Sequence, residues 1–155
     1  MKDNYLDYFD SPIGIIEIKA SENYLLSLTF NTILYEKNII KNDITKKTFS
    51  QLEEYFKGLR REFELPILLD GTDFQKKVWN SLMKIPYGKT CSYKDISQNI
   101  GNINASRAVG NANNKNKIPI VIPCHRVIGK NNSLIGYAAG LNIKKWLLDF
   151  ENSNS

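Results

Sequence analysis

A thiol and an imidazole stand side by side at Cys124 and His125, and His125 is the only histidine in the chain. The apolar run 118–122 before them predicts a short buried strand, and the polar stretch 129–133 after them predicts a turn. A thiol becomes a strong nucleophile when a neighbouring base takes its proton. The pair therefore suggests an activated nucleophile, although a lone buried cysteine more often serves as a small apolar residue.

Composition limits the classes of protein to which the chain can belong. Its 155 residues, 42% hydrophobic and 24% charged, suit one ordinary globular domain or two small ones. No apolar run approaches the roughly 20 residues of a membrane span, and the start lacks a secretory signal, so we expect reduced thiols inside a cell and no membrane association. Cys91, Cys124 and His125 cannot supply four zinc ligands, and we expect neither a metal nor a cofactor.

The net charge of +5 is unevenly distributed along the chain. Residues 1–71 carry nine Lys and Arg against twelve Asp and Glu, a balance of −3, whereas residues 72–151 carry twelve against four, a balance of +8. A basic excess confined to one half indicates a polyanionic partner, of which nucleic acid is the commonest. The alternative is a basic surface that is merely well solvated.

The first half contains no motif that suggests catalysis or metal binding, so we expect it to act as a structural scaffold. β-Branched runs predict strands over 5–9, 13–20 and 24–30, and a further strand is predicted over 62–69. A capping box at Thr48 and Gln51 predicts the start of a helix, which Gly58 should end.

The second half predicts helices around the cysteine and histidine pair. Thr72 begins a helix with a capping box, and a final helix is predicted over 141–151. Ser92 caps a short helix over 93–100, and a second one over 104–113 follows a glycine turn. In a basic half this pattern suggests a helix-turn-helix, although any helical hairpin would look similar. Arg107 lies among small residues, so it either probes a DNA groove or simply points into solvent.

Seven ordered motifs between residues 71 and 151 resemble those of the O6-alkylguanine-DNA alkyltransferase family. The best defined is Ile-Pro-Cys-His-Arg-Val at 122–127, and the others lie at 71–75, 85–90, 92–93, 107–110, 116–119 and 141–151. The resemblance implies an α+β protein with a small N-terminal α/β, ribonuclease-H-like domain over 1–70. A winged helix-turn-helix domain would follow over 71–151, with 134–137 in the wing and 152–155 as a tail.

The resemblance also implies roles for the residues of an active site. Cys124 would take the alkyl group irreversibly, His125 would act as base through a water molecule, and Glu151 would orient His125. Asn116 would tie the active-site turn to the helix-turn-helix, and Tyr93 would donate to the departing guanine. The guanine pocket would be formed by Val127, Tyr137 and Ala138.

The implied substrate is O6-alkylguanine, and by extension O4-alkylthymine, in double-stranded DNA. The target base would be rotated out of the duplex, with Arg107 filling the gap that it leaves. Further DNA contacts are expected at Lys94, Asn102, Ala105 and Lys130. We expect a monomer that acts in the cytoplasm, or in the nucleus if the source is eukaryotic.

Two other hypotheses compete with DNA repair by alkyl transfer. A winged-helix protein that only binds DNA would not depend on Cys124. A cysteine hydrolase would turn over small acyl substrates and would require an oxyanion hole, which the sequence does not reveal. Of the three hypotheses, only alkyl transfer explains all three features: the motif, the charge distribution and the helix of small residues.

Overall fold

The computed structural model describes residues 5–30, 39–129 and 140–155. The chain divides into two compact units, Met1–Leu69 and Asp70–Ser155. In chain order the elements are β1 Tyr5–Ser11, β2 Gly14–Ala20, β3 Leu25–Thr29, α1 Asp43–Phe56, α2 Asp73–Leu82, β4 Cys91–Ser92, α3 Tyr93–Asn99, α4 Ser106–Asn114, a 3₁₀ turn Cys124–Arg126, β5 Val127–Ile128 and α5 Leu141–Asn154. Sheet and helices are segregated along the chain, so the predicted α+β class is confirmed.

The first unit is a three-stranded antiparallel sheet, in the order β1-β2-β3, covered by α1. Alternate side chains of β2, among them Ile16 and Ile18, are fully buried, as are Leu52 and Tyr55 of the helix that packs on the sheet. Phe9 of β1 packs edge-to-face on Phe49 of α1, with the ring centroids 5.1 Å apart. The three strands predicted here are thus confirmed.

Two predictions for the first unit were wrong. Helix α1 begins after Asn42, whose side chain accepts from the Thr45 backbone N–H, and Thr48 lies inside the helix with its hydroxyl bonded to the Ile44 carbonyl. A threonine hydroxyl can bond to its own helix in this way, so Thr48 need not cap one. The strand predicted over 62–69 is reduced to a single bridge between Ile67 and Leu25.

The second unit contains the helix-turn-helix formed by α3 and α4. Ser92 caps α3, and Gly101 occupies the turn with a φ of +80°, which favours glycine. Ser97, which is fully buried, donates to the Asn102 carbonyl and accepts from the Ala105 N–H at 3.1 Å. One hydroxyl therefore fixes the turn between the two helices. The predicted wing at 134–137 and most of the turn at 129–133 lie outside the described residues.

Trp79 of α2 joins the start of this unit to α4. Its indole N–H donates to the Ala112 carbonyl at 2.9 Å, and the side chain is 3% exposed. The backbone of Gly71 lies against the edge of this ring, next to the capping box formed by Thr72 and Gln75. The position leaves no room for a side chain.

We expect Gly71→Ala to lower the free energy of unfolding by about 1–3 kcal/mol, the usual cost of overpacking a filled site. An added Cβ would lie 2.5 Å from Trp79 and 2.6 Å from the Gln75 side-chain oxygen. Urea denaturation measures the change. The matched control is Gly110→Ala in α4, where the Cβ would meet the Tyr93 ring at 3.9 Å and should stabilise the helix. Equal stability of the two variants would contradict this account.

Candidate active site

The segment between α4 and Cys124 is a compact turn and not the predicted strand. Asn116 shapes it, because its side chain donates to the Ile122 carbonyl at 2.8 Å and accepts from the Ile118 N–H at 2.9 Å. Ile120 takes a positive φ of 73°, which a strand would not allow. The run is apolar because Ile118, Ile120 and Ile122 are all buried. Burial, and not strand structure, explains the pattern.

Cys124 begins the 3₁₀ turn and is 4% exposed. Its carbonyl accepts from the Asn113 side-chain amide of α4 at 3.4 Å. Its thiolate would interact electrostatically with Lys144 and with the Tyr93 hydroxyl. Groups from α3 and α5 therefore lie near the thiol, while α4 holds the backbone of the same residue.

His125 and Glu151 form a buried pair, with 0% and 1% of their side chains exposed. The Nε2 of His125 lies 2.8 Å from a carboxylate oxygen of Glu151. Burial lowers the pKa of His125 below its usual range, against the raising effect of Glu151. The imidazole is therefore neutral at pH 7, and it donates Nε2–H to the carboxylate. Helix α5 continues to Asn154, so Glu151 lies within its last turn and not at its end as predicted.

Arg126 is a site residue that the sequence analysis missed. Its Nε and Nη2 atoms hold the two Glu151 oxygens at 2.8 and 3.0 Å, and Nη1 donates to the Ile85 carbonyl at 2.7 Å. Burial would raise the pKa of Glu151, but the hydrogen bonds from His125 and Arg126 and the charge of Arg126 hold it well below its ordinary value. Since a neutral His125 carries no charge, Arg126 is the cation that keeps Glu151 ionised at pH 7.

Lys144 is a second missed residue, and it is fully buried. Its Nζ donates to the Val127 carbonyl at 2.6 Å. Burial lowers the pKa of Lys144 to about 8, while the charge of the Cys124 thiolate acts in the opposite direction. A signal was present in the sequence, because Lys144 shares the inner face of α5 with Ile143, Leu147 and Glu151.

Tyr93 is brought to the site by the short parallel pair of β4 and β5, in which Cys91 faces Val127. The side chain of Tyr93 is half-buried at the start of α3. Burial, followed by the charge of Cys124, raises its pKa, so the hydroxyl stays protonated and can donate. Burial and Asp95 raise the pKa of the other cysteine, Cys91, to about 11, which leaves it a poor nucleophile.

The predicted DNA-contact residues differ in exposure. Arg107, Lys94 and Asn102 are exposed on or beside the helix-turn-helix, whereas Ala105 is 8% exposed at the N-terminus of α4. Lys130, Tyr137 and Ala138, predicted to bind DNA or the guanine, lie outside the described residues.

The parts of the chain that the structure describes show two further negative findings. No three histidine, cysteine, aspartate or glutamate side chains there are grouped as a metal ion would require. No helix of the described ranges has both the length and the apolar character needed to cross a membrane.

Two family models and several relatives match the chain along nearly its whole length. Residues 4–69 match the family model of the 6-O-methylguanine DNA methyltransferase, ribonuclease-like domain, and residues 73–153 match that of its DNA binding domain. The methylated-DNA–protein-cysteine methyltransferase of Methanosarcina acetivorans is 46% identical, over 96% of this chain and 99% of its own length. The constitutive enzyme of that name from Bacillus subtilis is 43% identical, over 96% and 95%.

Solved structures give the same result. The structure of Mycobacterium tuberculosis OGT in complex with DNA superposes with a TM-score of 0.88 at 39% identity, covering 97% of this chain and 94% of that one. The Mycobacterium tuberculosis O6-methylguanine methyltransferase gives a TM-score of 0.87 at 40% identity, with the same coverage. Both family models and these relatives span nearly the whole chain, which therefore belongs to the 6-O-methylguanine DNA methyltransferase family.

Proposed function

We propose that this protein repairs DNA by transferring the alkyl group of O6-alkylguanine to Cys124, once per molecule. The observation that carries the proposal is the buried network in which His125 and Arg126, directly after the buried Cys124 in the chain, hold Glu151. It supplies a thiol, a neutral base and a fixed carboxylate, which a protein that only binds DNA would not require. The name borne by the relatives at 43–47% identity supports the same activity.

The proposed base is Nδ1 of His125. The Nε2–H of His125 donates to Glu151, so the lone pair of the neutral ring lies on Nδ1. His125 follows Cys124 directly in the chain, and we propose that a water molecule carries the thiol proton to Nδ1. The imidazolium that forms is stabilised by Glu151, as the carboxylate of a catalytic triad stabilises its histidine.

The transfer itself is a displacement at the alkyl carbon. The Cys124 sulfur forms a bond to this carbon while the bond between the carbon and guanine O6 breaks. Tyr93 passes its hydroxyl proton to a ring nitrogen of the base, so that guanine departs in the neutral keto form. The Tyr93 phenolate then regains a proton, through solvent, from the His125 imidazolium, so the proton lost by the thiol ends on guanine. The thioether that remains has no leaving group of comparable quality, and the reaction ends after one turnover.

We propose that DNA binds at the helix-turn-helix, with the small residues of α4 in the minor groove and Arg107 in the space left by the rotated base. The exposure of Arg107, Lys94 and Asn102 supports this orientation, because phosphate and groove contacts need accessible side chains. Residues 71–151 would thus hold both the DNA-binding surface and the nucleophile, and 1–70 would act as the scaffold. The protein would act where DNA is kept, in a bacterial-type cytoplasm or in a nucleus.

Intact-protein mass spectrometry tests the proposal. The protein is mixed with an equimolar duplex that contains one O6-methylguanine, and an undamaged duplex of the same sequence is the control. We expect the mass to rise by one methyl group only with the damaged duplex, and peptide mapping to locate the methyl group on Cys124. Excess duplex should add nothing further. Binding of the damaged duplex without a change of mass would refute alkyl transfer.

A further inference from the structure

Two buried side-chain acceptors at the site have no hydrogen-bond partner among the described residues. They are Oδ1 of Asn113 and Nδ1 of His125, and within those ranges no other buried side-chain nitrogen or oxygen shares this condition. Asn113 is 2% exposed and His125 is 0% exposed. Buried polar atoms in proteins are nearly always paired, with ordered water where no protein group serves.

The Asn113 amide has only one favourable orientation. Its Nδ2 donates to the Cys124 carbonyl, and a rotated amide would instead bring two carbonyl oxygens together. Oδ1 must therefore be the atom that faces away from the Cys124 backbone, and it can only accept.

The hydrogen bond from Nε2 to Glu151 fixes the tautomer of His125, so that Nδ1 carries the lone pair and is an acceptor. Two acceptors cannot satisfy each other. Both belong to residues in contact with, or next to, the nucleophile, and both require a donor from a third molecule. Water is the small molecule that offers two donors and two acceptors at once.

We propose that Asn113 and His125 together bind one buried water molecule, which is the proton relay of Cys124. The inference rests on the proposed function and adds Asn113 to it as a positioning residue. The water donates one hydrogen to Asn113 Oδ1 and the other to His125 Nδ1, so its lone pairs are left for the Cys124 S–H. The thiol proton passes to this water, and the water's own proton passes to Nδ1 as the bond from sulfur to carbon forms.

Without Asn113 the water has a single acceptor and can turn away from the thiol. The deprotonation of Cys124 by His125 would then become inefficient, whereas deprotonation by hydroxide in solution would be unaffected. The loss of Asn113 should therefore matter at neutral pH and disappear at high pH. A displaced Cys124 would instead be slow at every pH.

The experiment compares Asn113→Leu with Asn114→Leu, a matched change of an exposed asparagine on the same helix. Both are made in a Cys91→Ala background so that a single cysteine reacts. The rate of iodoacetamide alkylation of the free protein and the single-turnover rate of methyl transfer are measured from about pH 6 to about pH 10, on either side of the ordinary thiol pKa of about 8.5. A crystal structure at high resolution locates ordered water.

We expect Asn113→Leu to be about tenfold slower at pH 7 in both reactions and to match Asn114→Leu by about pH 10. The loss is smaller than the roughly 10²–10⁴-fold effect of a whole general base because His125 itself remains. The crystal structure should show one water within hydrogen-bonding distance of Asn113 Oδ1 and His125 Nδ1. Equal rates at pH 7, or a deficit that persists unchanged at high pH, would overturn the inference. If Asn113→Leu does not fold, the presence or absence of that water decides the matter.

The iodoacetamide reaction needs no DNA, so it separates this inference from the proposed function. If Asn113→Leu showed the pH-dependent loss of rate and the water were present, but the wild type took no methyl group from DNA, the relay would stand and the proposed function would be refuted. If the wild type took up the methyl group and Asn113→Leu had no effect on either rate, the proposed function would stand and the relay through Asn113 would be refuted.

Discussion

Replacing Cys124 with alanine is expected to abolish methyl transfer while the fold is kept. The side chain is 4% exposed and small, so its truncation should lower the free energy of unfolding by about 1 kcal/mol, the value of one buried methylene-sized group. Tyr93 and Cys91 both have raised pKa values, so neither is expected to replace Cys124 as the nucleophile. Mass spectrometry with the O6-methylguanine duplex measures transfer, and urea denaturation measures stability.

The matched control is Cys91→Ala, which removes the other cysteine of the chain. We expect this variant to take up one methyl group as the wild type does. The Cys124→Ala protein should still bind the damaged duplex, which a gel-shift assay would show. Methyl uptake by Cys124→Ala would place the nucleophile elsewhere, and loss of uptake in Cys91→Ala would mean that Cys91 contributes to the reaction.

Arg126→Met is expected to give the largest loss of stability, about 3–5 kcal/mol in the free energy of unfolding, as is usual when one member of a buried ion pair is removed. The change leaves the Glu151 carboxylate buried without its bidentate cation, and it also leaves the Ile85 carbonyl without its donor. Methionine fills most of the volume, so the cost is mainly electrostatic. Urea denaturation at pH 7 measures it.

Lys145→Met is the control for Arg126→Met, because Lys145 pairs with Asp149 on the exposed face of the same helix as Glu151. Exposed pairs of this kind contribute about 0.5 kcal/mol or less. The double variant Arg126→Met with Glu151→Gln should be more stable than Arg126→Met alone, since it carries no buried anion. A loss below about 1 kcal/mol for Arg126→Met would show that the ion pair does not hold the site together.

The stability difference between the wild type and Arg126→Met should also depend on pH. The pKa of Glu151 is lowered in the folded protein, so its contribution is complete above the unfolded glutamate pKa of about 4.3 and is lost as the pH falls below that value. In Arg126→Met the carboxyl loses the cation that lowers its pKa. We therefore expect the difference to be large at pH 7 and to shrink in acid, as denaturation curves at several pH values would show.

Local patterns predicted much of the fold, because they are satisfied locally. Thr72 and Ser92 both cap the helices expected of them, since a capping box closes its hydrogen bonds within four residues. The true start of α1, at Asn42, was missed because the capping partner there is Thr45, and not the glutamate or glutamine that usually marks the motif. In a chain rich in asparagine, no single asparagine stands out by type.

The site was predicted less completely than the fold, for a different reason. Cys124 and His125 are uncommon residues and attract notice, whereas Arg126 and Lys144 belong to types that are mostly exposed. Their burial follows from tertiary contacts with Glu151 and with the Val127 carbonyl, which no local pattern contains. The strand predicted over 118–122 failed similarly, because burial makes a turn apolar as readily as a strand.

The amides of Asn113 and Asn116 connect the nucleophile's turn to α4 and to the chain directly after it, through the carbonyls of Cys124 and Ile122. In the proposed function α4 is also the element that enters the groove. The depth to which α4 enters the groove would therefore set the distance between the Cys124 sulfur and the alkyl carbon of the target base.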